Sequence, residues 1–288
     1  MYSVYTPKLT MSQAVQRDLK NYISKHSSRK IPVGYSAADV REILQDTWAY
    51  MQCSHEDDAS SSDFFGLNSY EWCDPSTFET SGYTNLQNMA VGYPVPIFFS
   101  ETGCNVPGPR LFGDQAAIFG PKMINDWSGS IIYEWIEEAN NYGIISYGPP
   151  AGPTATGKDI YDGFVRKGTP MPKAPDFTNL KNAWATIQPT GIAKSNYNAA
   201  ASVTQRNCPA ATSGGWLVDG NVKLPTMGAT YTGAFQPSPS ATMPPGGTGT
   251  GSAASPTTSS KGGASGNKQL VGMSGGLVAV MLFFTFWL

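Results

Sequence analysis

The amino-acid sequence predicts an α/β fold built on a parallel β-sheet. Three observations carry this prediction. Short apolar runs recur along residues 30–136, apolar residues at helical spacing separate them, and polar side chains collect where the runs end. Strands that alternate with helices pair in parallel, and the chemistry of such folds lies at the carboxyl ends of the strands. The 288 residues leave room for one large domain or two small ones.

The strands of this fold are four segments bounded by turn residues. They are preceded by a helix predicted over residues 12–23, where apolar side chains share one face. Four strands are half of the eight that close a barrel, so the first and last strands are expected to have open edges and the sheet to fold poorly alone. The strands are predicted at residues 30–35, 64–72, 95–100 and 130–136.

Helices are predicted after the first, third and fourth strands. Residues 36–39 (SAAD) match a capping box, so the first of these helices is expected to begin at Ser36. Asp114 is the expected N-cap of the second helix, and apolar spacing over residues 180–187 indicates the third.

The four cysteines indicate two disulfide bonds in an oxidising compartment. Cys73 and Cys104 follow the ends of consecutive strands, and neighbouring strands, about 4.8 Å apart, bring such positions within disulfide reach. Cys53 and Cys208 then remain for each other and would tie residues 188–235 to the sheet. The alternative is buried free thiols, which a secreted chain disfavours.

Composition narrows the chemistry that the chain can perform. With 14% charged residues and a formal net charge of −2, it has no electrostatic basis for binding nucleic acid. Its two histidines, His26 and His55, lie in polar, loop-like sequence, which argues against a histidine metal site or a serine–histidine nucleophile. Neither a metal nor another cofactor is expected, and carboxylate chemistry remains.

Glu101 is the candidate catalytic residue. It directly follows the third strand in the segment FFSETGCN. A carboxylate at the carboxyl end of a strand, among aromatic side chains that can stack on sugar rings, is how a retaining glycosidase presents its nucleophile. The alternative is an ordinary glutamate paired with a basic side chain.

The C-terminal residues predict a stalk and an anchor. Residues 236–261 are rich in Pro, Ser, Thr, Gly and Ala, which favours a disordered, O-glycosylated stalk. Residues 262–288 combine small residues, a polar spacer and an apolar end, which is the pattern of a GPI-attachment signal; a short hydrophobic tail anchor is the alternative. The first ten residues lack the apolar core of a secretory signal, so we expect the true start to lie upstream. The candidate attachment residues are Gly262, Gly263, Ala264 and Ser265.

Segments around all four strands resemble one known family. The segments are IPVGYSAADV, FFGLNSYEWCDPSTFETSGY, YPVPIFFSETGCNVPGPRLF and WSGSIIYEWIEEANNYG. Together they resemble the fungal β-1,3-glucanosyltransferases of glycoside hydrolase family 72, the GPI-anchored enzymes of the Gas, Gel and Phr type. The match covers roughly residues 16–150 and continues more weakly to Cys208.

The resemblance implies that residues 1–187 form the C-terminal half of a (β/α)8 TIM barrel, strands five to eight. It implies a retaining enzyme that cleaves a β-1,3-glucan donor and transfers the fragment to a glucan acceptor, while a GPI lipid holds it at the outer face of the plasma membrane. Family roles fall on five matching positions: Glu101 is the nucleophile, Tyr133 binds the donor, Tyr70 and Tyr142 line the cleft, and Asp39 contacts the acceptor. Each tyrosine could instead be a packing residue, and Asp39 a helix cap.

The chain departs from the family in ways that bear on activity. The acid/base glutamate of the family follows an asparagine, and no Asn-Glu pair precedes the first helix here. Leu44 stands where the family has an arginine, and the family's N-terminal cysteine pair is absent. We therefore expect this chain alone to be inactive, and the alternative function is a non-catalytic cell-wall protein that binds glucan through the three tyrosines. Poor substitutes for the missing acid are the nearby carboxyls of Glu71, Glu134, Glu137 and Glu138.

Overall fold

A four-stranded parallel β-sheet forms the centre of the structure, with the strands side by side in chain order. The computed structural model describes residues 5–53, 58–198, 207–212, 215–220 and 222–228, all within one compact unit. The predicted α/β class with a parallel sheet is confirmed. The predicted stalk over residues 236–261, the attachment signal over residues 262–288 and His55 lie outside the described residues.

Each strand of the sheet is shorter than the apolar segment that predicts it, or shifted along it. The strands are β1 (Tyr35–Ala38), β2 (Phe65–Asn68), β3 (Ile97–Thr102) and β4 (Trp127–Ile132). Later in the chain, two small antiparallel pairs follow: β5 (Ile145–Ser146) with β8 (Met171–Pro172), and β6 (Ile160–Tyr161) with β7 (Phe164–Val165).

Within the described residues, five α-helices pack around the sheet and its loops. The first is longer than predicted, and the third is an addition to the predicted elements. The helices are α1 (Tyr5–His26), α2 (Leu44–Gln52), α3 (Tyr83–Ala90), α4 (Gly113–Ile118) and α5 (Asp176–Thr186). None of the helices in the described part of the chain is long and apolar enough to cross a membrane.

Two predicted helix starts are wrong. Ser36 lies in β1, where its hydroxyl contacts the Ser100 hydroxyl at 2.6 Å, and α2 begins eight residues later. The local capping pattern loses to strand pairing because β1 makes a parallel ladder with β2. Asp114 lies within the first turn of α4, and Phe112 occupies the N-cap position. The carboxylate of Asp74 instead accepts the Leu111 N–H at 3.1 Å, just before α4.

The two faces of the sheet differ in chemistry. Phe65 and Leu67 of β2 and Ile97 and Phe99 of β3 face the helices and are fully buried. Phe99 stacks there on Trp127 with ring centroids 4.3 Å apart. The opposite face carries a polar group of Ser36, Asn68 and Ser100, which hydrogen-bond to one another, and the half-buried ring of Phe98. A Cβ at Gly66 would lie 2.6 Å from the Ser100 hydroxyl, so only glycine fits there. The apolar core therefore lies between the sheet and its helices, and the inner face is left polar.

An irregularity in β3 sets the direction of Glu101. Leu67 of β2 pairs with Phe99, whereas the next residue, Asn68, pairs with Glu101, so Ser100 is an extra residue in β3. Such a bulge breaks the alternation of side chains along a strand. The side chains of Ser100 and Glu101 consequently both lie on the inner face. The Thr102 hydroxyl lies on the helix side, where it donates to Asp114.

Both predicted disulfide bonds are present in the structure. Cys73 and Cys104 join the loops that follow β2 and β3, with their Cα atoms 5.1 Å apart. Cys53 and Cys208 join the end of α2 to the late part of the chain, at 5.2 Å. Trp216, a little further on, packs its ring 5.7 Å from that of Tyr50, so this late segment contributes to the main core.

Candidate active site

Glu101 lies at the carboxyl end of β3 and accepts a hydrogen bond from a tyrosine. The Tyr70 hydroxyl donates to Glu101 Oε2 at 2.7 Å. Burial raises the pKa of Tyr70 well above its ordinary value, and the hydrogen bond to Glu101 raises it further. Tyr70 therefore keeps its proton and holds one oxygen of the carboxylate, while the second oxygen is left for chemistry.

Three tyrosines gather beside this carboxylate, and we call them the tyrosine cluster: Tyr70, Tyr133 and Tyr142. Their ring centroids lie 5.3–6.1 Å apart, and all three pairs meet edge to face. Burial raises the pKa of Tyr133, with smaller contributions from Glu134 and then Glu101. Four residues that sequence patterns and the family resemblance single out thus lie together. Aromatic rings of this kind offer surfaces on which sugar rings can pack.

Asp39 belongs to a neighbouring ionic cluster. Arg41 donates two hydrogen bonds to the Asp39 carboxylate, from Nε to Oδ1 at 2.6 Å and from Nη2 to Oδ2 at 2.9 Å. The Ser69 hydroxyl also donates to Oδ2, at 2.9 Å. Arg41 also pairs with Glu71. Burial raises the pKa of Glu71, as does the Asp39 charge, whereas Arg41 acts in the opposite direction. Asp39 caps no helix, and a role for it in acceptor binding stays a prediction.

Arg41 is a residue that sequence patterns do not single out. Leu44, which stands where the resembled family has an arginine, is buried in the core. Arg41, three residues earlier, pairs with Asp39 and so supplies a guanidinium to this cluster. The one signal in the sequence was an arginine two residues after the acidic Asp39, and charge alone does not say which way a side chain turns.

The four glutamates considered as substitutes for the missing acid all have partners, and that of Glu71 is Arg41. Glu137 pairs with Lys173, and Glu138 accepts from Arg166 at 2.7 Å. Glu134 accepts from the amide of Asn140 at 2.7 Å, and the same amide donates to the Tyr133 hydroxyl at 3.3 Å. Burial is the main cause that raises the pKa of Glu134. No group of three His, Cys, Asp or Glu side chains gathers as metal ligands among the residues described.

A buried network lies behind β3, between the sheet and α4. The carboxylate of Asp114 accepts from the Thr102 hydroxyl and from the Gln115 amide, each at 2.9 Å. The amide oxygen of Gln115 in turn accepts from Ser130 of β4 at 2.8 Å and from Trp184 of α5 at 3.0 Å. The network therefore links the ends of β3 and β4. Asp114 is 1% exposed, and burial raises its pKa.

This buried carboxyl predicts a pH-dependent stability. The unfolded chain releases the Asp114 proton near the ordinary pKa of about 3.9, while the native state keeps it to higher pH. The contribution of Asp114 is thus most favourable below pH about 4 and declines as the pH rises through the native pKa, by at most about 1.4 kcal/mol per pH unit. We expect Asp114→Asn, whose amide oxygen can accept both bonds, to gain stability relative to the unmodified chain as the pH rises above about 4. Urea unfolding at three pH values measures this, and a difference independent of pH would contradict it.

The chain is similar to known proteins in sequence and in fold. A family model described as glucanosyltransferase matches residues 4–156. The 1,3-beta-glucanosyltransferase gas2 of Schizosaccharomyces pombe is 36% identical over 219 residues, which cover 75% of this chain and 43% of that protein. The 1,3-beta-glucanosyltransferase gel2 of Aspergillus fumigatus is 50% identical over 137 residues, 47% of this chain and 28% of that protein.

Solved structures of a 1,3-beta-glucanosyltransferase are also similar to this chain. The structure of Saccharomyces cerevisiae Gas2p in complex with laminaritriose and laminaritetraose is 37% identical and aligns with a TM-score of 0.59, over 74% of this chain and 43% of that one. The apo structure of Gas2p gives a TM-score of 0.58. The chain spans less than half the length of each of these relatives.

Proposed function

Because this chain belongs to the glucanosyltransferase family, glycoside hydrolase family 72, we propose that it carries the nucleophile side of a retaining β-1,3-glucanosyltransferase site. The observation that carries the proposal is Glu101 at the end of β3, bonded to Tyr70 and flanked by the tyrosine cluster. The laminarioligosaccharides named for Gas2p support β-1,3-glucan as the substrate class.

The proposed reaction has two displacements at one sugar carbon. A Glu101 oxygen attacks the anomeric carbon, the glycosidic C–O bond breaks, and a second carboxyl gives its proton to the leaving oxygen. A hydroxyl of the acceptor glucan then attacks the same carbon and gives its proton to that second carboxyl, and Glu101 leaves as a carboxylate. Water in place of the acceptor would give hydrolysis. We assign Glu101, Tyr70, Tyr133 and Tyr142 to this chain's side of the site, with Asp39 near the acceptor.

We further propose that β1 to β4 correspond to strands five to eight of a (β/α)8 barrel. The chain-order parallel pairing and the alignment with Gas2p support this. In this proposal residues 1–187 form the barrel part and residues 188–235 pack on it through Cys208. The polar inner face of the sheet is then the floor of the cleft.

A mechanism-based probe tests the proposed function without the second carboxyl. In 2,4-dinitrophenyl 2-deoxy-2-fluoro-β-laminaribioside the phenolate leaves without protonation, and the fluorine slows release of the covalent intermediate. We expect the protein mass to rise by one fluorolaminaribiosyl group, located on Glu101 by peptide mapping. The β-1,4-linked cellobiose analogue is the matched control and should label more slowly. Absence of labelling, or labelling elsewhere, would contradict the assignment of Glu101.

The tyrosine cluster also supports the second candidate, a non-catalytic glucan-binding protein. Its signature would be measurable binding of laminaripentaose by calorimetry without any covalent labelling of Glu101. Binding together with labelling favours the nucleophile instead.

We also propose that the protein acts at the outer face of the plasma membrane, held by a GPI anchor attached within residues 262–265 and set off by the stalk over residues 236–261. The support is the sequence pattern of residues 262–288. Release of the protein from cells by phosphatidylinositol-specific phospholipase C tests it, and retention after treatment would count against it.

A further inference from the structure

The loop between β3 and α4 is tied to both neighbouring loops of the cleft. On one side, Cys104 is joined to Cys73, and Asp74 accepts the Leu111 N–H. On the other side, the Asn105 amide donates to two backbone carbonyls of the loop after β4, those of residues 140 and 141, at 3.1 and 3.2 Å. This loop begins two residues after Glu101, so its contacts connect Glu101 to the loop that carries Tyr70 and to the loop that carries Tyr142.

Arg110 is the one charged residue of this loop, residues 103–112, and it is buried. Its side chain is 1% exposed. The Nη1 group donates to the backbone carbonyl of Tyr133 at 3.0 Å, and the Nη2 group donates to the backbone carbonyl of Tyr142 at 2.7 Å. The guanidinium also lies over the Tyr142 ring, 5.9 Å from its centroid. One side chain therefore holds the main chain at two members of the tyrosine cluster.

The charge of Arg110 is compensated from α5. Its Nε donates to Asp176 Oδ2 at 2.7 Å, and its backbone N–H donates to Asp176 Oδ1 at 3.2 Å. The Asn179 amide, one turn later, donates to the Arg110 carbonyl at 2.8 Å. The counter-ion fixes the plane of the guanidinium, so its remaining N–H groups point at the two tyrosine carbonyls.

Only a guanidinium suits this position. It presents N–H donors in a rigid planar fork, whereas an ammonium group has its donors on one nitrogen and cannot reach three separated acceptors at these distances. A lysine would keep the positive charge opposite Asp176 and lose at least one tyrosine carbonyl. Arg110→Lys thus distinguishes the effect of the positive charge from the effect of the hydrogen bonds to the two tyrosine carbonyls.

We infer that Arg110 is a positioning residue for sugar binding: it sets the spacing of the adjacent rings of Tyr133 and Tyr142 beside Glu101. This inference rests on the proposed function, because it assumes that the tyrosine cluster binds glucan. Arg110 itself touches no reacting atom. It acts through the backbone of the loop after β4, so its loss should affect binding more than bond formation.

The test separates binding from chemistry with the fluorolaminaribioside probe. For Arg110→Lys we expect the probe concentration for half-maximal labelling, KI, to rise about tenfold while the maximal labelling rate changes by less than about threefold. Asp176→Asn keeps the shape and removes the counter-charge, and we expect KI to rise about threefold. An Arg110→Lys variant that folds and keeps the original KI would overturn the inference. If Arg110→Lys does not fold, an unchanged KI in Asp176→Asn would overturn it.

A second buried arginine provides the matched control. Arg17 of α1 is 8% exposed and donates to the Pro225 carbonyl at 2.6 Å, on elements that contribute nothing to the tyrosine cluster. Arg17→Lys should lower the melting temperature without changing KI. Calorimetric binding of laminaripentaose keeps the two proposals distinct. Suppose that the original chain is not labelled. If its glucan binding is weaker in Arg110→Lys, the nucleophile assignment is refuted and the role of Arg110 is supported. If the two chains bind glucan equally, the role of Arg110 is refuted.

Discussion

Glu101→Gln will reduce covalent labelling by the fluorolaminaribioside about a thousandfold or more, because an amide cannot attack the anomeric carbon as a carboxylate does. The substitution keeps the shape of the side chain and an oxygen that can accept the Tyr70 hydrogen bond. Folding should therefore be preserved, and calorimetry should show laminaripentaose binding within a few-fold of the original. Mass spectrometry of the intact protein over a time course measures the rate.

Tyr70→Phe is the graded comparison for this prediction. It removes the hydroxyl that donates to Glu101 Oε2 and leaves the ring in the tyrosine cluster. Hydrogen bonds to charged groups contribute about 1.5–3 kcal/mol, so we expect labelling about ten- to a hundredfold slower, still at Glu101. Labelling of Glu101→Gln at the original rate, on any residue, would remove the basis for a nucleophile at the end of β3.

Phe99→Ala will lower the free energy of unfolding by about 3–5 kcal/mol, the range observed when a buried aromatic ring is replaced by a methyl group. Phe99 is fully buried on the helix side of β3, between the rings of Trp127 at 4.3 Å and Tyr83 at 5.4 Å. The cavity would open at the centre of the core, two residues before Glu101. Urea unfolding followed by tryptophan fluorescence measures the change.

The neighbouring phenylalanine is the matched control. Phe98 is half-buried on the inner face of the same strand, with its ring 5.9 Å from that of Phe64. Because folding removes less of the Phe98 side chain from water, Phe98→Ala should lower the free energy of unfolding by about 1–2 kcal/mol. Equal losses for the two variants would contradict the assignment of the core to the helix side of the sheet.

The apolar patterns of the chain by themselves determined the class of fold and the partners of the cysteines. Buried parallel strands are continuous apolar runs, and VPIFFS is such a run in a chain with few charges. SIIYEWI marked the fourth strand only roughly, because β4 begins three residues earlier, at Trp127, and ends at Ile132. Cysteines placed after consecutive strands have few possible partners once the strands lie side by side. Glu101 was also visible from its place at the end of a strand, because the direction of a parallel strand fixes which end carries chemistry.

Tertiary structure alone decided the local geometry of the site. SAAD has a helix-capping pattern, yet pairing with β2 makes it a strand, since a ladder of backbone bonds outweighs one side-chain cap. The extra residue at Ser100 turns Glu101 inward, and no pattern in the sequence marks such a bulge. Arg110 lies 66 residues from Asp176 in the chain and 32 from Tyr142. Contacts over such separations depend on how whole elements pack, so nearby sequence holds no sign of them.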